Sequence, residues 1–175
     1  MFEIRLLFGR PRTSSKEIFI SRIRELQVGS GCTIQALDAD LVASERHLAF
    51  AAEKALSAFI EGRSIAKDLG IEIMRYASGQ RQIERAMSMG LSGSTNRVAL
   101  AIVRRNMELQ PLGRDQWPNS SELSELIVVD GLGCSSDIDK LRKAFDISDE
   151  ELQAAGEDKI ADLVLERVAL VDTYR

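Results

Sequence analysis

The chain has 175 residues, of which 45% are hydrophobic and 29% charged, with two cysteines, one histidine and a net charge of −4. That length suits one domain with its own core, and no apolar run approaches the roughly 18 residues of a membrane-spanning helix. The acidity argues against nonspecific nucleic-acid affinity for the whole chain, yet it is uneven: residues 1–105 hold 16 Lys+Arg against 11 Asp+Glu, and residues 106–175 hold 7 against 16.

Phe2, Ile4, Leu6 and Phe8 alternate with Glu3 and Arg5, the period of two that marks a half-buried strand. The start, MFEIRLLFGR, lacks a basic lead and a small-residue cleavage site, so the cytoplasm is the expected location. After the polar RPRTSSK, Ser14 or Ser15 is placed to cap a helix to about Leu26, closed by Gly29-Ser30-Gly31. CTIQAL (32–37) reads as a second strand. Ser44 then caps a helix whose Leu48, Ala52, Ala55 and Phe59 share one face, with His47, Phe50 and Lys54 beside it.

Gly62 ends that helix, and a third is expected from about Ser64, with Leu69, Ile73, Met74 and Ala77 facing the core. A fourth, after Ser78-Gly79, would bury Ile83, Ala86 and Met87 and stop at Gly90. NRVALAIVRR (96–105) is almost continuously apolar and β-prone, which predicts a central strand buried on both sides. The stretch 106–122 reads as a loop, ELIVVDG (125–131) as a strand, and Ser136 or Asp137 as the start of a helix to Phe145. Ser148 and Glu151 have capping-box spacing. A last helix from about Glu157 leads into VALVDTY, read as a final strand. The expected fold is α+β: a single domain over 1–175, one mixed β-sheet packed with several α-helices.

Catalytic signatures are sparse. No phosphate-binding P-loop, G-x-S-x-G or H-E-x-x-H pattern occurs. DGLGCSSD (130–137) offers two glycines between a strand and a helix but lacks the third that a dinucleotide loop needs. A plain strand-to-helix turn is the favoured reading. His47 is the one imidazole available for acid–base work, in the first turn of an amphipathic helix where edge packing is the ordinary role. Asp38 and Asp40 suit turn caps better than a cation site. Cys32 and Cys134 lie far apart without metal-ligand spacing and read as buried structural thiols. No metal and no cofactor is expected. A small phosphate- or nucleotide-using enzyme around Asp130–Ser136 and His47 remains the alternative to a binding protein.

The break in RYASGQRQI (75–83) has two readings. Gly79 can turn left-handed and end one helix, leaving Gln80 and Arg81 to open the next. Unpaired backbone N–H groups and a guanidinium there would suit a phosphate, with Gln80 and Gln82 reading polar edges. The other reading is a solvated helix corner.

The stretches ALDADLVASERHLAFAAEKAL, RYASGQRQIERAMSMG, RVALAIV and LERVALVDTY resemble the kinase-associated small subunit of the KEOPS complex, the family of the PRPK-binding protein TPRKB and its archaeal relatives. The likeness covers roughly 36–104 and 160–174, and ASGQRQI, closest to the archaeal branch, is its most specific piece. It implies a non-catalytic subunit. KEOPS installs a threonylcarbamoyl group on the adenosine beside the anticodon of certain tRNAs, and another subunit does the chemistry. The family member binds the amino-terminal lobe of the complex's small kinase-like ATPase and captures the tRNA 3′ CCA end. The resemblance therefore implies a tRNA-end surface at Ser78, Gly79, Gln80, Arg81, Gln82 and Ile83. Arg75 and Lys54 are added for their basic character and expected proximity. For the kinase contact, the C-terminal segment supplies Leu163, Val164 and Val168 as apolar candidates. Beside the enzyme, a second alternative is a pure kinase-binding scaffold without RNA contact.

Overall fold

In a computed structural model, residues 2–105, 117–131, 133–134 and 137–173 are described. Strand β1 (Phe2–Pro11) is followed by helix α1 (Lys16–Ser30) and strand β2 (Thr33–Asp38). Ser15 caps α1 by accepting the Ile18 N–H, and Gly31 closes it in the left-handed region. Helices α2 (Glu45–Ile60), α3 (Leu69–Ala77) and α4 (Ile83–Ala86) come next, then strand β3 (Val98–Arg105). Helix α5 (Ser120–Leu126), strand β4 (Ile127–Val129) and helices α6 (Ile138–Phe145), α7 (Asp149–Ala155) and α8 (Ile160–Leu170) complete the order.

The four strands form one sheet in the order β2-β3-β1-β4. The α+β class holds, but every described pairing is antiparallel, so the sheet is not mixed. Alternation along β3 explains its continuous apolar run. Ala99, Ala101 and Val103 face a core shared with α2, α3, α6 and α8, while Val98, Leu100 and Ile102 face a second core under α1 and α5. Helices therefore cover both faces of the sheet, and the small residues Ala51, Ala52, Ala55 and Ala58 let α2 lie close against its neighbours.

Several sequence expectations change. The described part of VALVDTY, residues 168–173, does not form a strand. Val164, Val168 and Val171 recur every three or four residues and fill the larger core from α8 and the turn beyond it, so helical period overrides the β-propensity of valine. Helix α3 starts at Leu69 rather than near Ser64, because the Asp68 side chain caps it at the Ile71 N–H. Met87 is 52% exposed while Met89 is buried. The cause is a switch to a 3-10 turn at Met87–Met89, which advances the inward phase. Glu125 and Leu126 end α5 and do not begin a strand, and α5 itself, with a capping box between Asn119 and Glu122, occupies part of the stretch read as a loop. The rest of that loop, 106–116, lies outside the described residues.

Candidate nucleic-acid interface at the α3–α4 corner

Helix α3 ends where its last turn bonds back on itself. The Ser78 hydroxyl donates to the Arg75 carbonyl at 2.8 Å, and the Gln80 N–H reaches Ser78 Oγ at 3.2 Å and the Arg75 carbonyl at 3.3 Å. Gly79 then adopts φ +65°, and a Cβ built there would lie 3.0 Å from Cβ of Arg167. Glycine is thus required twice, for the left-handed turn and for the approach of α8. Gln80 and Arg81 precede the next helix rather than opening it. Gln82 is the N-cap residue, makes no side-chain capping bond, and α4 is four residues long. So short a helix has little macrodipole to offer, and the electrostatics of the corner rest on its side chains.

Gly79, Gln80, Arg81 and Gln82 line a shallow groove of about 410 Å³ with Arg85 of α4 and Arg167, Leu170 and Val171 at the end of α8. Arg81 and Arg85 are exposed, and neither joins an ion pair among the described residues. Arg167 is committed: it donates to Glu151 at 2.6 Å and to the carbonyls of Phe145 and Asp146 at 3.3 and 3.4 Å. The groove thus combines two unpaired guanidinium groups, two carboxamides and an aliphatic floor. Such a set can hold a phosphate, hydrogen-bond a base edge and pack against a base face.

The corner is bolted from beneath. His47 is wholly buried; its Nε2–H donates to the Ala77 carbonyl at 2.8 Å, its Nδ1 accepts the Ala43 N–H at 3.1 Å, and its ring meets Phe145 edge-on. Burial lowers its pKa to about 4, with the bond to Ala77 opposing, so the ring is neutral at pH 7. Both nitrogens are used in holding the start of α2 to the end of α3.

Arg75, expected at the tRNA-end surface, is instead 2% exposed. Its guanidinium donates to Glu72 at 2.6 Å, lies 3.9 Å from Asp172 and covers the Tyr76 ring at 4.4 Å. Glu72 in turn accepts the Ala66 N–H at 2.9 Å. A buried cation so paired cannot also serve an incoming phosphate, and Arg75 is corrected to a structural ion pair. The Tyr76 hydroxyl donates to Asp172 at 2.5 Å. Burial, then the Asp172 carboxylate, pushes its pKa up to about 12. Ser78 is buried as well and acts through its helix-ending bonds rather than as a contact.

Of the other expected residues, Ile83 is half-buried at the start of α4, and Lys54 lies over the Phe50 ring at 5.7 Å, outside the groove lining. Val164 and Val168 are each 0% exposed and cannot meet a partner in this fold. Leu163, packed against the core but partly exposed, is the one of the three with surface to offer. Arg85, Arg167, Leu170 and Val171 were missed. Arg85 stands four residues after Arg81, a spacing visible in the sequence; the α8 residues join only through tertiary packing.

Among the described residues, the groups of the rival site are committed elsewhere. Asp130 is held bidentately by Arg97 at 2.7 and 2.9 Å, and Arg97 also reaches the Gly133 carbonyl at 2.9 Å. Leu132, Ser135 and Ser136 lie outside the described residues. Burial raises the Cys134 thiol to about 11, far from a thiolate at neutral pH. Asp38 caps its own turn and accepts Thr95, while Asp40 pairs with Lys140 at 2.6 Å. Among the described residues no cluster of His, Cys, Asp or Glu could hold a metal ion, and no helix is long and apolar enough to cross a membrane.

No curated protein matches the chain. A family model described as kinase binding protein CGI-121 matches residues 15–172, spanning every helix and all but the first strand. The chain belongs to the CGI-121 family of kinase-binding proteins.

Proposed function

We propose that this protein is a non-catalytic subunit of a KEOPS-type complex. It would bind the small kinase-like ATPase and present the α3–α4 corner to the tRNA 3′ CCA end, in support of threonylcarbamoyladenosine formation. The observation that carries the tRNA half is the pair Arg81 and Arg85, unpaired guanidinium groups in one groove with Gln80, Gln82 and the Leu170–Val171 floor. In this reading the arginines take phosphates, the carboxamides take base edges, and the aliphatic floor carries a base face. Single-stranded ends expose all three features.

The kinase half rests on membership of a kinase-binding family, with Leu163 the remaining contact from the C-terminal segment. His47, Arg75 and Ser78 act as positioning residues that fix the corner. Co-elution tests the proposal. The chain, the kinase-like ATPase and intact tRNA should form one species on size exclusion, and tRNA lacking CCA should elute apart. Co-elution with the kinase alone would leave a pure kinase scaffold and remove the tRNA role.

A further inference from the structure

Strand β2 is an edge of the sheet, paired only with β3. In an antiparallel edge strand alternate residues turn their N–H and C=O outward, and here those include Ile34 and Ala36 in the middle of the strand. Two of their four outward groups are plugged by side chains of the chain itself. From the α1 side, Gln27 Oε1 accepts the Ile34 N–H at 2.8 Å. From the α3 side, Gln35 Nε2 donates to the Ala36 carbonyl at 2.8 Å. The Ala36 N–H and Ile34 carbonyl have no such partner among the described residues.

This edge forms the floor of a groove of about 490 Å³ between α1 and the α3–Leu91 region. The walls are apolar: Ile20 and Ile23 on one side, Ile71, Met74 and the exposed Met87 on the other. A strand edge that needs only protection is usually covered or charged along its length. Here the backbone is plugged by side chains, Ile34 and Ala36 keep 4% and 8% of their surface exposed, and in the walls Ile20 and Ile71 are half-buried and Met87 exposed while Ile23 and Met74 are buried. The rim is polarised too. Lys16 and Arg24 stand exposed along the α1 wall without an ion pair among the described residues. Asp68 opposite is occupied in capping α3.

We infer that the β2 edge is a strand-addition site for an extended peptide segment of a partner protein, apolar at alternate positions and acidic on the side facing α1. The segment displaces Gln27 and Gln35 one hydrogen bond for one and gains the two unplugged groups. Its apolar side chains, all on one face of the added strand, enter the α3 wall, and the carboxylates on the other face meet Lys16 and Arg24. The site shares no residue with the α3–α4 corner groove, so it stands or falls independently of the tRNA reading.

The probe is a fluorescent peptide of about six residues alternating Val or Ile with Thr and Glu, titrated into the full-length chain, with amide exchange followed at Ile34 and Ala36. The inference predicts saturable binding with Kd below about 100 µM and slower exchange at the Ala36 amide. Gln27→Ala should tighten binding by removing a competitor for the Ile34 N–H. Arg24→Glu should weaken it about tenfold, and N-methylation of alternate peptide nitrogens should abolish it. Absence of saturable binding overturns the inference. So does binding that is indifferent to N-methylation and leaves Ala36 exchange unchanged, since that would be side-chain adsorption in an apolar groove.

Discussion

Replacing Gly79 with alanine separates the two demands placed on the corner. A left-handed conformation costs a non-glycine residue about 1–2 kcal/mol, offset by about 0.4–1 kcal/mol because alanine restrains the unfolded chain. Gly62 has almost the same φ, +68° against +65°, but nothing lies within 4 Å of a Cβ built there. Gly62→Ala therefore measures the conformational cost alone, about 0.5–1 kcal/mol net. At Gly79 the new methyl also meets Cβ of Arg167 at 3.0 Å. That atom is fixed to the backbone of α8 and cannot rotate away, so overpacking adds about 1–3 kcal/mol. Urea unfolding should place Gly79→Ala about 2–4 kcal/mol below wild type and well below Gly62→Ala, a loss of roughly 10 °C in Tm for a chain this size. Equal losses for the two variants would refute the claim that α8 presses on the corner.

The buried pair and the buried ring give further expectations. His47 has its pKa lowered to about 4 against 6.5 in the unfolded chain. Its contribution is thus complete above pH 6.5 and is lost as pH falls toward 4, when the unfolded chain takes the proton first. The loss is about 3 kcal/mol, and His47→Gln should flatten the stability–pH curve over that window relative to wild type in urea titrations. Glu72→Gln leaves the buried Arg75 guanidinium with only the more distant Asp172 carboxylate at 3.9 Å and should cost about 3 kcal/mol, read by chemical unfolding. Val164→Asp buries a charge in the larger core and should abolish cooperative thermal unfolding, rather than merely weaken the kinase contact as a surface change would.

The legible parts of the sequence were those where local chemistry decides the outcome. Ser15, Ser44 and the Ser148–Glu151 box cap helices as their spacing suggests, and 96–105 contains the interior strand its unbroken apolar run implies. Errors arose where a residue type has two uses. Valines 164, 168 and 171 suit a strand, and only the core they meet makes them helical. Arg75 and Arg81 look alike in sequence, but Arg75 shares with Glu72 and Tyr76 a helix face that turns inward. The Gly-Gln-Arg-Gln corner was visible, whereas its second wall on α8, some 85 residues further along, depends on tertiary packing that no local pattern encodes.

The most direct test of the central claim is equilibrium binding of tRNA at fixed salt, with the kinase-like partner present and absent, to wild type, Arg81→Glu and Arg85→Glu. A charge-assisted contact is worth about 1.5–3 kcal/mol, so each reversal should weaken binding of intact tRNA about ten- to a hundredfold while kinase binding and Tm hold. Wild type should lose a comparable amount on tRNA without CCA. Equal binding by all three proteins in both settings, with CCA-less tRNA held as tightly as intact tRNA, would contradict the account and leave the α3–α4 corner a solvated turn.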